Sequence, residues 1–212
     1  GVQVFATHDE AWRAHARAAG VAVLYIHALN PHGFSFQRRV THENVDLNRN
    51  FQGFSQPLPD NPVYTELQPW LLPETWPPSA AVTSAIEHWE AQHGAAALQA
   101  VVSQGQYRHA DGLFYGGQAP TWSQQTLRTV LRQHAQRARR IGWIDLHTGL
   151  GPSGVGERIC ACRDDAASLR RARNWWGSGG QTPVTSIYDG SSTSARLTGL
   201  MWNAAYEECL HV

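Results

Sequence analysis

Net charge is what this chain most clearly lacks. Seventeen basic residues balance seventeen acidic ones, for a formal charge of +0 at pH 7. A protein held by nucleic-acid phosphates needs a basic face, so no nucleic-acid partner is expected. Apolar runs are short as well. None approaches the roughly 20 residues that cross a bilayer, and residues 1–10 lack the charged-then-apolar pattern of a signal peptide. No membrane partner is expected. Cysteine is scarce, with only Cys160, Cys162 and Cys209. An odd, small number excludes a disulfide framework and points to a reducing compartment, hence a cytoplasmic protein. Cys160 and Cys162 form C-x-C, readable as a metal-binding pair or as two buried free thiols on one face of a strand.

What is present suffices for one domain spanning residues 1–212, with 42% of residues apolar. Thr7-His8-Asp9-Glu10 reads as a capping box opening a helix that runs to Gly20. Residues 21–26, almost wholly apolar, read as a parallel strand buried on both faces. Residues 27–78 are dense in Asn, Pro and Gly, so little regular structure is expected there. Residues 79–102 read as helical with a break at Gly94. Thr121-Trp122-Ser123-Gln124 opens another helix, whose apolar face carries Leu127, Val130, Leu131, His134, Ala135 and Ala138. Residues 141–146 read as a second apolar strand, followed by the glycine-rich stretch 149–156. Residues 159–162 and 184–188 read as strands around a helix over 164–176. This order predicts an α/β fold, a mostly parallel or mixed sheet with helices on both faces. Ligands in such sheets sit beyond the carboxyl ends of the strands, which directs attention to residues 27–50 and 147–156.

Two segments carry chemistry. Residues 30–51, NPHGFSFQRRVTHENVDLNRNF, set Arg38, Arg39 and Arg49 close to Asn48 and Asn50. Guanidinium forks and carboxamide donors suit a small anionic group. Equally, they could tie down a long loop through backbone carbonyls. The second segment, Trp143-Ile144-Asp145-Leu146-His147, puts a histidine at the end of an apolar run, where it is either a hydrogen-bonded loop residue or a metal ligand.

Asn30-Pro31-His32-Gly33-Phe34, then Asp46-Leu47-Asn48-Arg49-Asn50-Phe51, then Asp145-Leu146-His147 resemble, in order and separation, motifs of the zinc carboxypeptidase superfamily. Residues 105–117 and 188–194 look like a bacterial branch near the aspartoacylase and succinylglutamate desuccinylase group. The resemblance implies a three-layer, zinc-dependent hydrolase acting on a small peptide or acyl-amino acid. His147 would be the third zinc ligand. Asn48 and Arg49 would grip the substrate carboxylate. Arg39, with Arg38 as its rival, would polarise the scissile carbonyl. Asp46 would orient the first histidine ligand through its other ring nitrogen, and Tyr188 would cap the substrate.

Two parts of the family pattern have no match: the upstream H-x-x-E pair, which supplies two zinc ligands, and a late general-base glutamate. Glu207 and Glu208 read as solvated acids. The expectation is therefore an internal fragment truncated at both ends, binding zinc weakly and inactive alone. Two alternatives remain: an N-acyl amino acid deacylase, and a non-catalytic module binding carboxylate ligands or a partner.

Overall fold

The structure, a computed structural model, describes residues 2–147, 152–177 and 182–209. Local sequence signals account for most helix ends. Helices α1 (Val2–His8) and α2 (Glu10–Ala18) replace the single expected helix. The cap is Asp9, whose carboxylate accepts from Trp12 N at 2.7 Å, and not Thr7, whose hydroxyl turns back to Val4 O. The chain leaves α2 through Gly20 at φ +66°, a conformation costly for any residue with a Cβ.

The loop expected over residues 27–78 is more ordered than its composition suggests. It holds α3 (Pro31–Phe36), α4 (Leu47–Asn50) and α5 (Pro62–Leu71). The physical reason appears twice: Asn30 and Asn61 cap helices whose first residue is proline, where a missing N–H costs nothing. Helices α6 (Ala80–His93) and α7 (Ala95–Ser103) then flank the expected break at Gly94, and α8 (Trp122–His134) starts at the expected cap Thr121. His134, expected in the core, is exposed at the end of α8.

The sheet is smaller than expected. Strands β1 (Arg158–Cys160) and β2 (Val184–Ser186) pair in parallel across α9 (Ala166–Trp176), with Ile159 opposite Thr185. This βαβ unit makes the protein α/β. Residues 21–26 and 141–146 are not strands, because no ladder partner lies beside either among the described residues. Their side chains are correspondingly open, with Val21 57% and Ile144 67% exposed. Residues 148–151, including part of the glycine-rich stretch, lie outside the described residues.

Helix α10 (Asn203–Cys209) packs on α8, and the main core lies between them. Phe51, Leu127, Leu131, Ala204 and Cys209 form it, and Ile26, Leu29, Trp143 and Met201 pack against its edge. Truncating the fully buried Leu127 to Ala would cost about 3 kcal/mol. Around this core the chain segments that carry the sequence motifs come together: Phe51 ends the 46–51 motif, and Trp143 sits four residues before His147. Glu208 is not a solvated acid. Its carboxylate accepts from Arg128 at 2.9 Å and Arg132 at 2.8 Å, clamping α10 to α8. No helix among the described residues is long and apolar enough to cross a membrane.

Candidate functional site

The 30–46 loop is folded by its own polar side chains. Asn30 accepts from Gly33 N at 2.9 Å and donates to Arg39 O at 3.3 Å. Gly33 is required at this turn, since a Cβ there would meet the Arg38 carbonyl at 2.4 Å. Thr41 and Val45 close the next turn through their backbones, and Asn44 ties it to the Ala110 and Gly112 carbonyls. The chain is thereby aimed so that Arg39 and Asp46 face each other.

Asp46 is nearly buried and uses both carboxylate oxygens. Oδ1 caps α4 by accepting from Asn48 N at 3.0 Å, and Oδ2 accepts from Arg39 Nε at 2.7 Å. Where Asp46 was expected to orient a histidine, its partners are Arg39 and the Asn48 amide, and no histidine is hydrogen-bonded to it among the described residues. The Arg39 guanidinium lies 5.0 Å from the Phe114 ring centroid, its side chain is half-exposed, and its bond to Asp46 runs through Nε. Arg38 is exposed and forms no ion pair among the described residues, so of the two rivals Arg39 is the one built into a cluster.

Arg49 meets a different environment from the one expected. It is 2% exposed. Its Nε donates to Ser103 O at 2.9 Å, Nη2 donates to the same carbonyl, and Nη1 donates to Asn48 O at 2.8 Å. Burial lowers its pKa, with the Asp46 carboxylate opposing that shift. Gly105 and Gly199, both at positive φ, let the backbone close around it, since Cβ atoms there would meet Arg49 at 2.7 and 2.4 Å. The guanidinium expected to grip a substrate carboxylate is thus committed to main-chain carbonyls, the loop-tying alternative that its residue type also allowed.

The rest of the hexapeptide is equally architectural. Asn50 is fully buried and donates to Gly116 O at 2.8 Å and Ala119 O at 3.0 Å. Its Oδ1 accepts from both the amide and the hydroxyl of Thr121 at 3.0 Å, tying α4 to the start of α8. Gln124, expected to complete a capping box, instead donates to Asn50 O at 2.9 Å. Asn48 alone is half-buried, its Oδ1 accepting from Met201 N at 3.2 Å.

His147 donates through Nε2 to Asp145 Oδ2 at 2.8 Å. The two residues stand two positions apart, the spacing that would put both on one face of an extended chain, which is the signal that could have paired them from sequence. The Asp145 hydrogen bond raises the His147 pKa against the pull of burial, and the charges of Arg39 and Asp46 act on it in opposite directions. His147, Arg39 and Asp46 therefore share one electrostatic neighbourhood. Tyr188 belongs elsewhere. Its hydroxyl donates to Ala161 O at 3.5 Å, Arg196 lies over its ring, and burial pushes its pKa up to about 12. No hydrogen bond, ion pair or ring contact joins it to Arg39, Asp46 or His147 among the described residues.

A catalytic zinc site normally needs three protein ligands. His147 suits one, because a carboxylate fixes one ring nitrogen and leaves Nδ1 open. Among the described residues, however, no group of three or more His, Cys, Asp or Glu side chains could hold a metal ion. The described residues do not fit a complete zinc site. Two shallow clefts, one lined by Asp60, Tyr107 and Arg108 and the other by Arg173, Val184 and Thr185, include neither Arg39 nor His147.

Sequence reasoning missed Phe114, the partners that bury Asn50, and Tyr107, whose hydroxyl donates to Arg49 O at 2.5 Å. These assignments depend on contacts more than fifty positions apart, which no local pattern encodes. The chain belongs to the family described as a protein of unknown function, DUF2817, whose match runs over residues 1–212. No curated protein and no solved structure matches it.

Proposed function

We infer that this chain carries substrate-facing residues of a hydrolase of the zinc metallocarboxypeptidase type, acting on a peptide or amide bond next to a free carboxylate. One arrangement supports the reading: the half-exposed Arg39, held by buried Asp46, in the same electrostatic neighbourhood as the Asp145-braced His147. The motif resemblance over Asp46–Phe51 and Asp145–His147 supplies the reaction class.

The residues of this chain would divide the work as follows. The Arg39 Nη donors would hold an anionic oxygen, either the substrate carboxylate or the oxygen that gains charge at the scissile carbonyl. Asn48 Nδ2 would add a second donor, its amide orientation fixed by Met201 N. Asp145 would keep the His147 ring oriented. A metal that used His147 would need ligands beyond the described residues.

Binding of N-acyl amino acids to the chain, followed by NMR, tests the anionic subsite. Free acids should bind and the matching primary amides should not, and Arg39→Ala should abolish the difference. Equal binding of acid and amide would end the reading. A substrate panel on the protein in its natural full length separates peptidase from deacylase. Carboxylate binding without hydrolysis of either would favour a non-catalytic module, a reading that the Arg39–Phe114 platform also supports.

A further inference from the structure

Cys160 ends β1 and Cys162 follows two positions later, so both side chains leave the same face. Their sulfurs lie 3.4 Å apart in a contact where either can donate. All three cysteines are free, and Cys209 sits in the separate α8–α10 core. Cys160 is buried against Ala172 and Val184, whereas Cys162 reaches solvent in part. A cysteine kept only for packing is surrounded by apolar atoms. These two do sit in an apolar cluster with Ala172, Val184 and Leu169, yet each thiol also faces the other, and one has access to the outside. Among the described residues no third ligand accompanies them as a metal group.

We propose that Cys160 and Cys162 form a reversible dithiol–disulfide site that exchanges with small disulfides of the glutathione type. Cys162, the more exposed sulfur, attacks one sulfur of the incoming disulfide while its proton passes across the 3.4 Å contact to the Cys160 sulfur. A mixed disulfide forms as the incoming S–S bond breaks, and the other half leaves as a thiolate. Cys160 gives that proton up to the released thiolate and, as thiolate, attacks the Cys162 sulfur. The Cys160–Cys162 bond forms, the mixed disulfide breaks, and the second half departs. Two electrons pass from the protein thiols to the incoming disulfide, and their two protons end on the released thiols. A small dithiol reverses both steps.

The supporting electrostatics follow from the same geometry. The hydrogen bond from Cys162 draws the Cys160 thiol down, against burial, with Arg173 acting in the same direction, and the same contact together with burial pushes the Cys162 thiol up. The site also has a readout. Ala161 O, between the two cysteines, accepts from the Tyr188 hydroxyl, and Cys160 O accepts from Ile187 N at 3.4 Å. Closing a ring through residues 160–162 turns these carbonyls, so oxidation shifts the environment of Tyr188. None of this rests on the hydrolase reading.

The test is thiol mapping on the full chain. The protein is equilibrated with oxidised or reduced glutathione, quenched in acid, alkylated and analysed as peptides by mass spectrometry. In the oxidised buffer the peptide carrying residues 160–162 should lose two hydrogens and take no alkyl group. After dithiothreitol it should take two, with Cys209 unchanged throughout. Cys160→Ser should accumulate a glutathione adduct on Cys162, having lost the resolving sulfur. Full alkylation of both thiols in the oxidised buffer, a lasting adduct on Cys162 in the unmodified chain, or a disulfide to Cys209 would each overturn the proposal. Should Cys160→Ser fail to fold, the mass shift of the unmodified chain still decides.

Discussion

Arg39 Nε lies 2.7 Å from Asp46 Oδ2, and the pair is asymmetric, the arginine side chain 51% exposed and the aspartate 4%. The buried partner is also the cap of α4. Asp46→Ala removes the cap and leaves a guanidinium without its anion, and should cost about 2 kcal/mol. Arg39→Ala, at the wet end of the pair, should cost about 1 kcal/mol or less. Urea unfolding midpoints of the two variants should separate in that order.

Arg39 and Arg49 should also separate by phenotype. Arg49 is buried among carbonyls that would be left unpaired, so Arg49→Ala should destabilise by about 3 kcal/mol. Arg39→Ala should keep the fold and weaken binding of an N-acyl amino acid by about tenfold or more. Calorimetric unfolding and ligand titration on both variants check this. A folded Arg49→Ala protein with selectively lost carboxylate binding would restore the clamp role to Arg49.

Asn50 accepts two hydrogen bonds and donates two through one buried carboxamide. Asn50→Ala leaves those partners without water to replace it. A loss of about 3 kcal/mol is expected, read as a lower thermal midpoint. Asn50→Asp keeps the shape and the acceptor but loses both donors, and should be no better tolerated.

The Asp145 hydrogen bond holds the His147 pKa above its ordinary value near 6.5. The stabilisation is fully present below that ordinary value and is lost as pH rises through the higher folded one. In Asp145→Asn the imidazole resonances should titrate at lower pH than in the parent chain. An unchanged titration midpoint would remove Asp145 as the cause.

Glu208 responds in the opposite sense. Burial disfavours its charge, yet hydrogen bonds from Arg128 and Arg132 win and hold its carboxyl below the usual 4.5. Its contribution is present above that value and is lost as pH falls through the lower folded pKa. Glu208→Gln should cost about 1 kcal/mol at neutral pH and progressively less in acid. Denaturant titrations of both proteins across that range should converge at low pH.

Local chemistry was legible in the sequence. Thr121 caps α8 as read, Gly94 breaks the 79–102 helix, and the 158–186 segment forms the expected strand–helix–strand unit. Asn30-Pro31 and Asn61-Pro62 held the same kind of signal, a cap followed by a first-turn proline, in a stretch whose composition alone suggested loop. The two apolar runs at 21–26 and 141–146 misled for the complementary reason. A helix satisfies its backbone within itself, but a strand exists only beside another.

The sequence by itself determined the residue types of the candidate site: arginines, asparagines, and a histidine with an aspartate two positions before it. Only the tertiary structure decided which arginine is wet and which is dry. Arg39 and Arg49 carry the same guanidinium. Gly105, Gly199 and the Ser103 carbonyl enclose Arg49, while Asp46 and Phe114 leave part of Arg39 in water. Burial depends on what long-range folding brings alongside, and no window of neighbouring residues contains that information.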